Sequence, residues 1–206
     1  DMARIGPFTL VMGRHYKKID TSSLPFSYLI ESNDESIHVP GVNLRSVGTI
    51  RDAQKWPKRD RRKDPVKFDQ VNFNLLSPYT IRKMFEGRDL LRRIKSVAGG
   101  VSSSYTYNNM MIKGQSLDRG IELYQTGINK FLGNSLIKRL EKISFRTNKD
   151  LQKRLEPDKS HGNGEWVDLA GLIAPQRVID MLLDNIESGK LNSLKKIEEE
   201  FRNIHK

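Results

Sequence analysis

A proline-bounded basic stretch, residues 40–65, separates two different kinds of sequence. It reads PGVNLRSVGTIRDAQKWPKRDRRKDP. Apolar residues recur at every third position from Leu44 onward in its first half, and this spacing predicts a short helix. The helix is expected to end near Lys55, because Pro57 restricts Trp56 to extended backbone.

Positive charge is concentrated in and just after this stretch. Residues 45–67 contain nine Lys or Arg and three Asp, so nine minus three gives +6 of the chain's net +11. Residues 57–67 are expected to form a basic loop. Clustered Arg and Lys favour phosphate oxygens, and an indole such as Trp56 can stack on a base or a sugar. The candidate anion-binding residues are Arg45, Arg51, Lys55, Trp56, Lys58, Arg59, Arg61, Arg62 and Lys63.

Three interpretations of the basic residues stay open at this point. They can pair with acidic groups of the same or a neighbouring chain, bind an anionic ligand, or form an ordinary solvated surface. Asp52, Asp60 and Asp64 lie within the stretch and supply acids for the first interpretation. The charge therefore indicates an anionic partner without establishing one.

The rest of the chain predicts a mainly α fold. A β-rich segment is expected over residues 1–43, with a hairpin over 28–39, where turn residues separate two short apolar runs. Residues 101–114 are expected to form a long loop or an edge strand. Helical spacing of apolar residues predicts long helices near residues 77–98, 116–143, 175–188 and 192–204. We therefore expect residues 44–206 to form a helical, bundle-like domain.

Local spacing supports no catalytic or metal site. The chain has no cysteine, which excludes thiolate zinc ligands and cysteine nucleophiles and fits a reducing, cytoplasmic compartment. Ser102–Ser104 lack a GxSxG context, and the glycine-rich segments 99–100 and 161–164 match no phosphate-binding loop. No apolar run reaches the roughly 20 residues that span a bilayer. The four histidines, which show no metal-ligand spacing, are His15, His38, His161 and His205.

Four segments resemble a bacterial family. They are PFSYLI at 25–30, RDAQKWPKRDRR at 51–62, NFNLLSPYT at 72–80 and WVDLAGLIA at 166–174. Together they resemble the C-terminal region of a large uncharacterised family, found in Bacteroidetes and spirochaetes, that carries left-handed β-helix hexapeptide repeats similar to those of sugar-nucleotide acyltransferases. The resemblance spans most of the chain, and no catalytic residue is carried over from it.

The resemblance implies an accessory role for this chain. It predicts a non-catalytic helical domain, active in packing or oligomerisation, that follows the β-helix of a longer acyltransferase-like protein. The expected partner is a further copy of the full-length protein, because β-helix acyltransferases are typically trimers. The alternative is a binding module that takes a phosphorylated ligand, either a sugar nucleotide or, with less support, a nucleic acid, through residues 45–67. No cofactor is assigned.

Overall fold

The computed structural model describes residues 3–63, 69–156 and 164–205. Of this part, 50% is helical and 16% lies in strands, and the strands include a five-stranded mixed sheet. The fold is therefore α/β, and the expectation of a mainly helical bundle is wrong. Within the described residues, no helix is both long enough and apolar enough to cross a lipid bilayer.

The elements alternate between short strands and longer helices. The strands are β1 (Leu10–Met12), β2 (Tyr28–Ser32), β3 (Glu35–Val39), β4 (Ser104–Tyr107), β5 (Met110–Lys113), β6 (Trp166–Leu169) and β7 (Leu172–Pro175). The helices are α1 (Val47–Arg59), α2 (Pro78–Val97), α3 (Gly114–Leu140), α4 (Asn148–Leu155), α5 (Gln176–Glu187) and α6 (Leu194–His205), and a 3₁₀ turn covers Val42–Arg45.

Backbone contacts divide the chain into two compact units. The first unit holds residues 1–60 and 75–130, and the second holds residues 61–74 and 131–206. The boundary therefore falls at three places in the chain: at the end of α1, shortly before α2 and inside α3. It does not coincide with the expected boundary between residues 43 and 44, because β4 and β5 join the N-terminal strands in one sheet.

The sheet of the first unit has the strand order β1-β2-β3-β5-β4. β1 is parallel to β2 and β3 is parallel to β5, whereas β2 pairs with β3, and β5 with β4, in antiparallel hairpins. Alternate residues of the central strands are buried on one face, as a half-covered sheet requires. Ile19, Leu29 and Met110 form a core cluster on this unit, with Tyr107 packed against it.

Within the first unit, α2 and the first part of α3 contact their neighbours closely at glycines. A Cβ added at Gly127 of α3 would lie 2.8 Å from the Met84 sulfur of α2. A Cβ at Gly87 of α2 would lie 2.5 Å from the Ser23 carbonyl oxygen and 3.0 Å from the Tyr124 ring. The absence of side chains at the two glycines therefore leaves room for the Met84 sulfur, the Tyr124 ring and the Ser23 carbonyl.

The second unit is smaller and contains a hairpin with helices. β6 and β7 pair in antiparallel fashion from Trp166 with Pro175 to Leu169 with Leu172. The Asn72 amide donates to the Gly171 carbonyl at 2.8 Å, so the segment 69–74 lies beside the hairpin turn. Ala174 and Leu172 of β7 are buried, as are Ile179 and Leu182 of α5.

Several local predictions are confirmed. The hairpin over 28–39 is formed by β2 and β3, and the four long helices lie within three residues of their expected ends. Residues 101–114 contain the hairpin β4–β5, so only the edge-strand interpretation of that segment holds. Lys67 and the turn residues 161–163 lie outside the described part of the chain.

The prediction that the basic helix ends near Lys55 is wrong. α1 continues through Pro57 to Arg59, and its C-cap is Asp60. Proline removes one helical N–H and crowds the carbonyl of residue i−4, but Pro57 is exposed and water can reach the carbonyl that it leaves unbonded. The first three residues of the expected basic loop, 57–59, therefore belong to the last turn of α1.

Pro57→Ala should strengthen the end of α1. An interior proline costs a helix about 3 kcal/mol, and α1 has no buried residue through which packing could offset that cost. Amide hydrogen exchange in residues 53–59 should slow by about tenfold or more in the variant. Unchanged or faster exchange there would show that the helix does not pass through residue 57.

Gly87→Ala should destabilise the first unit, whereas Gly133→Ala should stabilise α3. The new methyl at residue 87 meets the backbone of Ser23 and the ring of Tyr124, which costs about 1–3 kcal/mol. At Gly133 no atom lies within 4 Å, so the variant gains about 1 kcal/mol of helix propensity. Urea denaturation of both variants tests this, and an equal effect of the two would refute the packing argument.

Candidate anion-binding surface

The basic helix α1 forms from capping and from helix-favouring residues. Ser46 has an extended backbone, and its side chain accepts a hydrogen bond from the Thr49 amide at 3.5 Å. Arg, Lys, Gln and Ala supply much of the sequence that follows, and these residues favour helix. None of the 13 residues of α1 is buried. Its side chains are therefore available to a partner along most of its circumference.

Four of the predicted cations share one face of α1. Arg51, Lys55, Lys58 and Arg59 stand at positions i, i+4, i+7 and i+8, which lie above one another on a helix of 3.6 residues per turn. All four are exposed. At a rise of about 1.5 Å per residue, the row extends about 12 Å along the helix axis. We call these four residues the α1 basic row.

Most of the row carries uncompensated charge. Arg51 Nε lies 3.1 Å from Asp52 Oδ1, and both side chains are more than half exposed. Such an exposed pair is weak and open to competition from other anions. No ion pair joins Lys55, Lys58 or Arg59 to another described residue. Within the described part of this chain, three of the four cations are therefore held by no acid.

The other predicted residues are placed differently. Arg45 is exposed in the 3₁₀ turn before α1, and Trp56 is 65% exposed on a different face of α1 from the centre of the row. The remaining three, Arg61, Arg62 and Lys63, belong to the second unit. Within that unit the Arg62 guanidinium binds Asp69, with Nη2 3.0 Å from Oδ2. The sequence cluster of nine is therefore not one site on a single unit.

A second exposed feature is the free edge of β1. Leu10, Val11 and Met12 pair in parallel with Tyr28, Leu29 and Ile30, so each residue pairs with the one 18 positions later. An isolated parallel bridge joins Arg4 to Asp20 in the same direction. The Leu10 amide donates to the Ser27 carbonyl at 2.9 Å. In a parallel pair the next residue, Val11, then points its N–H and C=O away from β2.

Apolar side chains gather near this edge. Ile5, Phe8, Leu10 and Val11 are 41–45% exposed. On the other side, the parallel pairing stops at β2, because the turn at Asn33 and Asp34 sends the chain back as antiparallel β3. Sequence reasoning missed this arrangement, since local spacing does not show which distant segment a strand pairs with.

The two histidines whose side chains the structure describes belong to no group of potential metal ligands. His15 Nδ1 lies 2.8 Å from Ser36 Oγ, and His38 is completely buried on β3. Neither ring nitrogen of His38 has a hydrogen-bond partner among the described residues. His161 and the side chain of His205 lie outside the described part. Within that part, no three His, Cys, Asp or Glu side chains are grouped to hold a metal ion.

Two concave regions are lined by residues outside the basic row. A cavity of about 300 Å³ in the second unit is lined by Leu172 and Phe201 together with Asp69 and Arg202. A more open groove of about 440 Å³ in the first unit lies between the end of α2 and the edge strand β4, beside Val97. Neither contains a residue of the predicted anion site.

Two domain families match parts of this chain. Residues 2–95 match a domain of unknown function (DUF4954), which covers the first three strands, α1 and most of α2. Residues 147–206 match a second domain of unknown function (DUF6819), within the second unit.

An uncharacterised protein of the bacterium Treponema pallidum (strain Nichols) is similar over 228 aligned residues, at 24% identity. The alignment covers 96% of this chain and 30% of the relative, so the chain spans less than a third of that protein's length. No solved structure matches the chain significantly.

The stability of the first unit should depend on pH through His38. Burial lowers the pKa of His38 from 6.5 to about 3, so the folded protein holds the neutral ring. The unfolded chain binds a proton below about pH 6.5, and stability is therefore full above that pH and falls as the pH drops toward 3. The loss is at most about 1.4 kcal/mol per pH unit.

The comparison of wild type with His38→Leu isolates this contribution. Urea denaturation at pH 7 and pH 5 should show a smaller loss of stability in the variant, because all other titrating groups are common to both proteins. Equal pH dependence of the two would show that residue 38 is not a buried neutral histidine.

Proposed function

We propose that this chain is an accessory domain that closes one end of a parallel β-solenoid in a longer bacterial protein. The observation that carries the proposal is the 18-residue spacing between paired residues of β1 and β2. Three hexapeptides make 18 residues, so this is the spacing expected for one coil of a three-sided hexapeptide solenoid. The resemblance to a hexapeptide-repeat, acyltransferase-like family agrees with that spacing.

The free edge of β1 is the surface that a preceding coil would occupy. A further parallel strand would bury the exposed apolar residues of this edge. It would also accept a hydrogen bond from the outward N–H of Val11. The β2–β3 turn ends the parallel stacking on the other side. The greater length of the Treponema relative is compatible with a protein in which other segments accompany this one.

The longer protein is proposed to act as a homo-oligomer in the cytoplasm. Solenoid acyltransferases assemble as trimers, and a cysteine-free sequence fits a reducing compartment. In this role the domain contributes packing and the protection of a sheet edge, and any acyl-transfer chemistry belongs to the longer protein.

Amide hydrogen exchange at Val11 tests the proposal. In the 206-residue chain this amide should exchange rapidly, because none of the described strands accepts its hydrogen bond. In the longer protein its exchange should be slowed to an extent set by the free energy of opening the end of the solenoid. The Leu29 amide, on a strand paired on both sides, is the control and should be protected in both.

Equally fast exchange of the Val11 amide in the longer protein would contradict the closing role. Light scattering of the same sample tests the second part, and a clean monomer would contradict the oligomer.

A further inference from the structure

We infer that the α1 basic row, together with Trp56, binds single-stranded nucleic acid. This activity is separate from the closing role proposed above, since α1 carries it and the β1 edge does not. The row brings four cations onto one exposed helix face over about 12 Å. A nucleic acid strand of that length presents about three to four phosphates.

The shape of the surface favours a polymer over a small ligand. Small-molecule sites are concave and bury most of their ligand, whereas the row lies on the outside of a helix that has no buried residue. The two concave regions described above are lined by other residues. A sugar nucleotide would reach one or two of these cations, and a strand can contact all four.

The available charge also favours binding. Lys55, Lys58 and Arg59 are joined to no acid among the described residues, so contact with phosphates would break no ion pair within that part of the chain. Asp52 competes for Arg51 alone, in a weak exposed pair. The counterions held by phosphates are released when the row binds, and this release drives association at low salt.

The position of Trp56 favours nucleic acid over a lipid surface. Its indole is 65% exposed and lies three residues before Arg59, so it borders the row. Val47, the most exposed apolar residue of α1, is nine residues from Trp56, or about two and a half helical turns. The two side chains therefore point in opposite directions and cannot enter one membrane together. Stacking on an unpaired base uses the indole alone.

The test is fluorescence anisotropy of labelled 20-nucleotide dT and U strands with the 206-residue chain. Four phosphate contacts predict a slope of about −2.8 for log affinity against log salt, which is about a 50-fold loss between 50 and 200 mM salt. The variant R51Q/K55Q/K58Q/R59Q should abolish this slope. Glutamine keeps the helix propensity of the replaced residues, so circular dichroism should be unchanged.

A matched variant controls for net charge. K17Q/K113Q/K130Q/K138Q also removes four positive charges, but from exposed positions outside α1. It should retain at least tenfold more affinity than the α1 variant. Equal losses in the two variants would overturn the assignment to α1, as would the absence of binding at 50 mM salt.

Trp56 distinguishes the ligand classes. Trp56→Ala should weaken binding to single strands by about tenfold, because stacking on a base is lost, and Trp56→Phe should restore most of it. Duplex DNA, vesicles of phosphatidylserine and phosphatidylcholine, and a UDP-sugar complete the comparison. Tighter binding to any of these than to both single strands would overturn the inference.

Discussion

The Tyr124 side chain is the contact on which the first unit depends most. It is completely buried in α3, and its hydroxyl donates to the Pro25 carbonyl at 2.8 Å. Its ring lies against Gly87 of α2 and against Gly41, which has a φ of 71° and precedes the 3₁₀ turn. One side chain thus connects both long helices with the two loops that flank β2 and β3. Burial raises the pKa of Tyr124 above its usual range, so the hydroxyl keeps the proton that it donates at neutral pH.

Around this contact the sheet joins segments that are far apart in sequence. β5 pairs in parallel with β3, from Ser36 with Met110 to Ile37 with Met111, and brings its hairpin partner β4 with it. This pairing makes the β-rich start and the helical middle one unit instead of two domains. It also leaves β1 at one edge, where each residue pairs in parallel with the residue 18 positions later in β2. The order of the strands therefore determines both the fold of the first unit and the edge that the proposed closing role uses.

The structure of α1 shows which of the basic residues share one surface. In sequence, the nine candidate residues form one cluster with acids close by. The sequence therefore leaves open whether each cation pairs with an acid or is available to a ligand. In the structure, helix periodicity selects Arg51, Lys55, Lys58 and Arg59 as one row, whereas Arg62 binds Asp69 in the other unit. The residue types were predictable, but their grouping depended on Pro57 lying inside the helix rather than at its end.

By itself, the sequence determined the long helices and the β2–β3 hairpin, and it supplied the candidate residues for anion binding. These depend on local patterns: apolar spacing, the Ser77 cap with Pro78, and turn residues between apolar runs. Only the tertiary structure decided the α/β class, the burial of His38 and the parallel pairing of β1 with β2. The four strands after α2 have four residues each, too few for a strong periodic signal. Their pairing is stabilised by partners distant in sequence, and local spacing carries no information about such partners.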